Sequence, residues 1–384
     1  MDEEKRGEST RKKNTRARLF GRVITVLVTL ALVVMAILVV IYRDRLSSEG
    51  LRSLLGRTVD TQEDTAPFTY ENGADQSFAL AGNGLAVASG SGIQLLNEKG
   101  ETVAKAITSM DTPAVSASES LALFYDIGGS TVKALGFDGS CTDVDAGKSV
   151  ITASVNDAGY FAVISEESGS KGLVQVFDPS CQLLYQWYSG TGYPLSAQVG
   201  PDNKSLAVLC LTSEGSVIHF FKLSSEDEQA SVSVPGVLLF ELCYVSGGRV
   251  AAIGSETLVF ADSGGALAGQ YDFAGRYLSA YDFGGSGFVA LCLSEYRAGA
   301  GGTLLTIDTE GSVLGQSAVE GDLLSLSASG RQLLFTTSGG LTLYSQSMQL
   351  LESEETLVTA KKALLRPKGD VLLLSSYSAE PFDF

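Results

Sequence analysis

The only histidine of the chain, His219, stands in Val217-Ile-His-Phe-Phe221, a mostly apolar run. A Ser-His-Asp triad or a histidine-based metal site needs partners of set type placed around it. No second histidine exists to complete such a metal site, so His219 is expected in a structural or surface position. The five cysteines are Cys141, Cys181, Cys210, Cys243 and Cys292, an odd number that leaves at least one thiol free. Cys141 and Cys181 fall at matching places in consecutive stretches of sequence, but hairpins of adjacent repeats lie on the order of 15 Å apart, beyond the ~7 Å Cα limit for a bridge. Cys210, Cys243 and Cys292 lie within apolar runs and are expected as free core residues. None of the spacings matches a zinc motif.

Carboxylates occur in pairs at Glu166-Glu167, Glu226-Asp-Glu228 and Glu354-Glu355. Two convergent carboxylates are the minimal equipment for glycoside hydrolysis, yet all three groups sit in polar, turn-like sequence. Asp126, Asp138, Asp178, Asp282 and Asp308 are scattered singly, whereas a calcium loop clusters its oxygens. The Gly-rich stretches 284–287 and 298–302 lack the Lys-Ser/Thr ending of a phosphate loop. No catalytic residue, metal or cofactor is therefore expected. What remains is a set of recognition residues. Trp187, Tyr188 and Tyr193 form the densest aromatic group outside the expected strands, and Glu295, Tyr296 and Arg297 occupy a long connection, 294–302. Tyr, Trp and Arg are the commonest anchors of interfaces, and these six are the candidate binding residues.

The elements that must position them begin with a charge asymmetry. Of the 384 residues, whose formal charge is −17, residues 1–22 hold eight Lys/Arg against four Asp/Glu, a net +4. Residues 23–45 carry +1, and from residue 46 onward 17 Lys/Arg face 39 Asp/Glu, a net −22. Between the basic arm and the acidic body lie twenty uncharged residues, 23–42, from Val23 to Tyr42, fourteen of them Val, Ile or Leu. As a helix they span about 30 Å, the thickness of a bilayer core. The run is longer than the apolar core of a cleaved signal peptide, and it ends Val39-Val40-Ile41-Tyr42-Arg43 with no small-residue cleavage site. An uncleaved signal anchor in the cytoplasmic membrane is expected, with residues 1–22 inside by the positive-inside rule and the body outside. Residues 43–65 form a polar stalk. The acidic body argues against nucleic acid as a partner.

From residue 66 to 384 the texture is all-β. A polar or Gly turn followed by an apolar strand recurs at Gly84-Leu-Ala-Val87, Ser120-Leu-Ala-Leu-Phe124, Gly159-Tyr-Phe-Ala-Val163 and Lys204-Ser-Leu-Ala-Val208. It continues at Gly248-Arg-Val-Ala-Ala252, Gly287-Phe-Val-Ala-Leu291, Gly330-Arg-Gln-Leu-Leu334 and Gly369-Asp-Val-Leu-Leu373. The spacing is about 40 residues, the length of a propeller blade. Hairpin turns follow the third strand of most units, usually opening with Asp or Asn, as in Asn97-Glu-Lys-Gly100 and Asp178-Pro-Ser-Cys181. The expected fold is a β-propeller of eight blades, with seven as the rival. Residues 66–71 would complete the eighth, removing an open edge.

The basic arm with its anchor, the Pro67-Phe68 entry and Phe124-Tyr-Asp-Ile-Gly-Gly129 together resemble a family of single-pass, membrane-anchored β-propeller proteins of Gram-positive bacteria. That resemblance implies the fold and topology; the family brings no known activity, so no functional residue carries over. The leading expectation is a non-enzymatic binding or scaffolding module whose partner is a protein or a cell-envelope polymer. A carboxylate-dependent glycan hydrolase or lyase and a sensor signalling through a partner are the alternatives. Protease added to intact cells should degrade the body and leave a fragment ending near Arg45; a body protected until lysis would reverse the topology.

Overall fold

The computed structural model describes residues 66–384 apart from 246–247, 298–300 and 356–357. The arm, anchor and stalk expected in 1–65 lie outside the described residues. Among those described there is no helix long and apolar enough to cross a membrane.

Eight antiparallel four-stranded sheets form an eight-bladed β-propeller. Blades 1 to 7 occupy residues 77–107, 113–145, 150–189, 193–235, 239–272, 277–319 and 323–355, each in simple up-and-down order from an inner to an outer strand. Blade 8 takes three strands, Lys362–Leu365, Val371–Leu374 and Ser378–Phe382, and its outer strand is Phe68–Thr69. The closure expected of residues 66–71 is thus made by the pairs Phe68–Ala379 and Thr69–Ser378.

The periodicity of each strand follows from its place in the blade. Second strands such as Gly84–Ser89 and Phe288–Ser294 are buried along their whole length, because a neighbouring blade covers each face. Outer strands alternate, as Glu228–Pro235 does from Gln229 onward, and read as amphipathic. There is no common core. Eight apolar clusters are each drawn from two adjacent blades, one cluster per seam. Phe161, Phe260 and Phe288 are fully enclosed in these seams, each contributing about 1.5–3 kcal/mol by burial.

Turns after the third strands are closed by Asp and Asn side chains. Asp178 Oδ1 accepts the Ser180 and Gln182 N–H groups at 2.9 Å each, and Asp308 Oδ1 accepts those of Glu310 and Ser312 at 2.9 and 2.8 Å. The residue that must take positive φ is Gly311 in the latter and Cys181 in the former. In blade 2 that position belongs to Gly139, and Cys141 instead opens the outer strand. The two cysteines therefore do not occupy matching positions, Cys181 lying in its turn and Cys141 just after its own. All five cysteines are free. Cys210 and Cys292 are buried as expected, and Cys243 is half-buried rather than in the core.

Each inner strand has one edge that no strand pairs with. Small hydroxyl side chains latch that edge to the next blade. Ser116 Oγ accepts the Val155 N–H at 3.2 Å, Ser196 Oγ that of Leu242 at 3.2 Å, and Ser325 and Ser327 those of Ala363 and Leu365 at 2.9 and 3.0 Å. Five inner strands carry a bulge, so that the pairing skips residues 151, 195, 240, 279 and 324.

The seam that closes the ring has further ties. The Tyr70 hydroxyl lies 2.6 Å from the Ser375 carbonyl, and the Gln76 amide donates to that of Ser376 at 2.9 Å. Phe68 packs over Gly100, where a Cβ would sit 2.1 Å from the ring. Arg366, only 2% exposed, donates to Asp370 Oδ1 at 3.0 Å and to the Asn83 and Glu98 carbonyls of blade 1 at 3.2 and 3.3 Å. Arg366→Met should lower unfolding free energy by about 1–3 kcal/mol, because buried Asp370 keeps only Lys368 Nζ, at 3.5 Å, as an ionic partner and the Asn83 and Glu98 carbonyls lose their donor. A urea titration checks this, and Asp370→Leu added to that variant should recover most of the loss.

Candidate binding face and channel

Propeller blades present two rims. On one, tight turns join first to second and third to fourth strands. On the other lie the connections between blades and those after the second strands, here called the loop face. The outer strand Phe68–Thr69 runs from the turn side toward the loop side, like the other outer strands, so the chain enters the ring from the turn side.

The loop face carries exposed apolar residues at Ile127, Tyr193, Leu238, Phe240, Tyr277, Tyr296 and Tyr377. A concavity of about 1260 Å³ lies at the seam of blades 5 and 6. Phe240 and Ser279, both at inner-strand bulges, line it together with Glu256, Asp272, Arg276, Tyr277, Tyr281 and Arg297. A bulge turns an extra side chain out of the pleat, and bulges commonly stand beside functional sites. The ring centroids of Phe240 and Tyr281 are 5.9 Å apart. Arg276 is held by the Phe273 carbonyl and the Tyr271 hydroxyl at 3.0 and 2.9 Å.

Below this concavity, charged groups converge on the channel. The residue following each bulge is small in blades 3, 4, 6 and 7 (Thr152, Ser196, Ala280 and Ser325) but is Glu241 in blade 5. Glu241 accepts a hydrogen bond from the Tyr281 hydroxyl, so two long side chains bridge where Ser196 reaches backbone directly. Burial, and then Glu241, push the Tyr281 hydroxyl pKa up. Asp282, next in sequence, accepts the Gly284 N–H at 2.6 Å. Burial raises its carboxyl to about 6; the Gly284 hydrogen bond and the Lys362 charge act against this, and Glu241 adds to it. Burial lowers the Lys362 pKa, against the pull of Asp282.

The structure divides the six expected binding residues among three places. Glu295, Tyr296 and Arg297 stand on the loop face, Tyr296 75% exposed, and Arg297 lines the concavity. Tyr193 opens the inner strand of blade 4, where its hydroxyl receives Lys171 Nζ at 3.1 Å. Trp187 and Tyr188 lie not in a connection but inside the outer strand Leu183–Ser189. Trp187 packs across the seam on His219 and Phe221, with ring centroids 5.4 and 5.0 Å away. His219 bonds Glu228 Oε1 at 3.0 Å through Nδ1, a structural place as expected. Phe240, Glu241, Tyr277, Tyr281 and Asp282 were not among the expected site residues. Only Glu241 carries a signal in the sequence, a charge at an inner-strand position whose counterparts are Thr152, Ser196, Ala280 and Ser325. Among the described residues no group of three His, Cys, Asp or Glu side chains could hold a metal ion.

A family model matches residues 57–357. The chain belongs to DUF5711, a family of unknown function. No curated protein matches the sequence. Among solved structures this DUF5711 member resembles the computationally designed Ika8 protein, with TM-score 0.58, 13% identity, and 83% of this chain and 99% of that one covered. It also resembles the C-terminal WD40 domain of Sif2, with TM-score 0.59, 10% identity, and coverage of 82% and 97%. A third is BamB from Moraxella catarrhalis, with TM-score 0.55, 13% identity, and coverage of 83% and 100%. Identities this low establish the propeller fold and nothing further.

The Asp282 carboxyl gives a signed pH dependence. Its folded-state value, about 6, lies above the ordinary 3.8. Between these values the folded chain holds a proton that the unfolded chain has lost. Its contribution to stability is full below about pH 4 and is lost as pH rises through about 6. Asp282→Asn should therefore gain stability relative to the parent across that window, read as a widening gap between urea midpoints.

Proposed function

We propose that the chain is a membrane-anchored, extracytoplasmic binding or scaffolding module, held at residues 23–42, whose partner is a protein or a cell-envelope polymer docking on the loop face. The observation that carries this reading is the concavity at blades 5 and 6, where Phe240, Tyr277 and Tyr281 stand beside Arg276 and Arg297. Tyr and Arg together, on a rigid frame and beside a groove, are the composition of an interface centre. Loops on such a scaffold can vary without disturbing the seams beneath them. The strand Phe68–Thr69 enters the ring from the turn side, the rim opposite the loop face.

A second reading, a carboxylate-dependent glycan hydrolase or lyase, draws on the convergence of Glu241 and Asp282 on adjacent inner strands. In such a mechanism Asp282, whose proton is retained to about pH 6, is the general acid, and Glu241, oriented by Tyr281, is the second carboxyl group.

A photo-crosslinking residue at position 277, in the full-length protein in its native membrane, should capture the partner. The same residue at Leu267, on the outer strand, should not, and Arg297→Glu should abolish the 277 product. Equal capture from 267 would refute the loop-face assignment, and turnover of envelope glycans abolished by Asp282→Asn would establish the second reading in its place.

A further inference from the structure

At the outer rim the seams close by a repeated device. The third residue of the outer strand is small in four blades, being Ala104, Ala230, Gly269 and Gly315. In the seams of the last three, a turn of the following blade rests against it. A Cβ on Gly269 would lie 2.3 Å from the Glu310 backbone, one on Gly315 2.5 Å from that of Ser347, and one on Gly265 3.0 Å from the Ala230 methyl. In blade 3 the same position is Tyr185. Here the turn of blade 4 stands off, and a groove of about 680 Å³ runs between strand residues 183–188 and turn residues 223–226.

Three features of this groove point to an occupant. Among the described residues, the strand Leu183–Ser189 pairs only with Gly172–Phe177, so its other edge is open. It carries no charged residue in seven, and Leu184 and Tyr188 are 46% and 56% exposed. Unoccupied edges are ordinarily guarded by charge, as Lys105 guards the outer strand of blade 1 and Glu352, Glu354 and Glu355 that of blade 7; Val313–Val319 of blade 6 is also uncharged, but there the blade 7 turn rests against Gly315 and no such groove adjoins it among those described. Second, Tyr185 is 7% exposed and its buried hydroxyl has no hydrogen-bond partner. A buried polar group of that kind is normally satisfied. Third, the groove is acidic at the same end. Glu228 is taken up by His219 at 3.0 Å, but Glu226 lines the groove with no cation paired to it among the described residues.

We propose that the outer edge of blade 3 receives an extended basic peptide segment as an added β-strand, with the Tyr185 hydroxyl and Glu226 as its polar contacts. Strand addition takes its affinity from backbone hydrogen bonds and its selectivity from alternate side chains. The surface lies apart from the loop-face concavity and does not depend on the function proposed for it.

Trp187 is the only tryptophan in the chain and lines the groove, so intrinsic fluorescence reports occupancy. The probe is a short peptide of alternating lysine and valine, titrated into the full-length protein. A saturable change in Trp187 emission is expected, with slowed amide exchange across residues 183–189. The same peptide N-methylated at alternate backbone nitrogens keeps its side chains but cannot pair, and should bind at least about tenfold more weakly. Tyr185→Phe and Glu226→Gln should each weaken binding while leaving the far-ultraviolet dichroism unchanged. Equal binding of the N-methylated peptide, or no saturable change up to millimolar peptide, would overturn the proposal. A dimer that Tyr188→Glu disperses would assign the edge to a second copy of the chain and would equally overturn it.

Discussion

Every blade ends inward in a strand whose inner edge faces the axis, where no further strand fits. Unpaired backbone N–H and C=O groups cost free energy unless something satisfies them. The ring meets this constraint with short hydroxyl side chains that reach across one seam at a time, Ser116 to Val155, Ser196 to Leu242, and Ser325 and Ser327 to Ala363 and Leu365. A latch of one side-chain length holds neighbouring inner strands close, and closeness lets the flanking apolar clusters seal. In these three seams the size of the latching residue limits how near the two inner strands approach.

Function enters where that size changes. At the axis, Glu241 and Tyr281 bridge a seam with two long side chains in place of one short one, and Tyr281 also lines the loop-face concavity. At the outer rim, Tyr185 stands where four other blades hold Gly or Ala, and a groove opens beside it. In both places an eightfold scaffold gains a local feature by enlarging one residue of a repeated contact. The polar groups brought inside are then only partly compensated, which is why the Asp282 carboxyl rises and the Tyr185 hydroxyl stands unpartnered.

The architecture was legible because second strands are apolar on both faces and recur with a Gly or polar turn before them, from Gly84 to Gly369. The closing strand was legible because the last repeat lacked a member. The site was not. Phe240 and Ser279 reach the concavity through bulges, each a single inserted residue that reverses the alternation without any sequence mark. Glu241 and Tyr281 meet across forty residues of chain, and nothing local in either segment names the other. Trp187 and Tyr188 misled for a related reason. An outer strand exposes one face, so Leu183–Ser189 has the mixed composition of a loop, and its aromatic rings suggested recognition before they suggested a strand.

The join between Phe68–Thr69 and Ser378–Phe382 also has a consequence in time. Tyr70 meets its partners across more than three hundred residues of chain. At roughly 5–20 residues per second of synthesis, the opening strand waits on the order of fifteen to sixty seconds for the strand it pairs with. Until then the growing domain is an arc with two bare ends, in which blades can form one after another but the circle cannot. A chain terminated early stays an arc, its edges open to any other strand or to a protease. Closure therefore reports that synthesis has run to the last blade, and a single two-residue pairing gives the domain a built-in test of its own completeness.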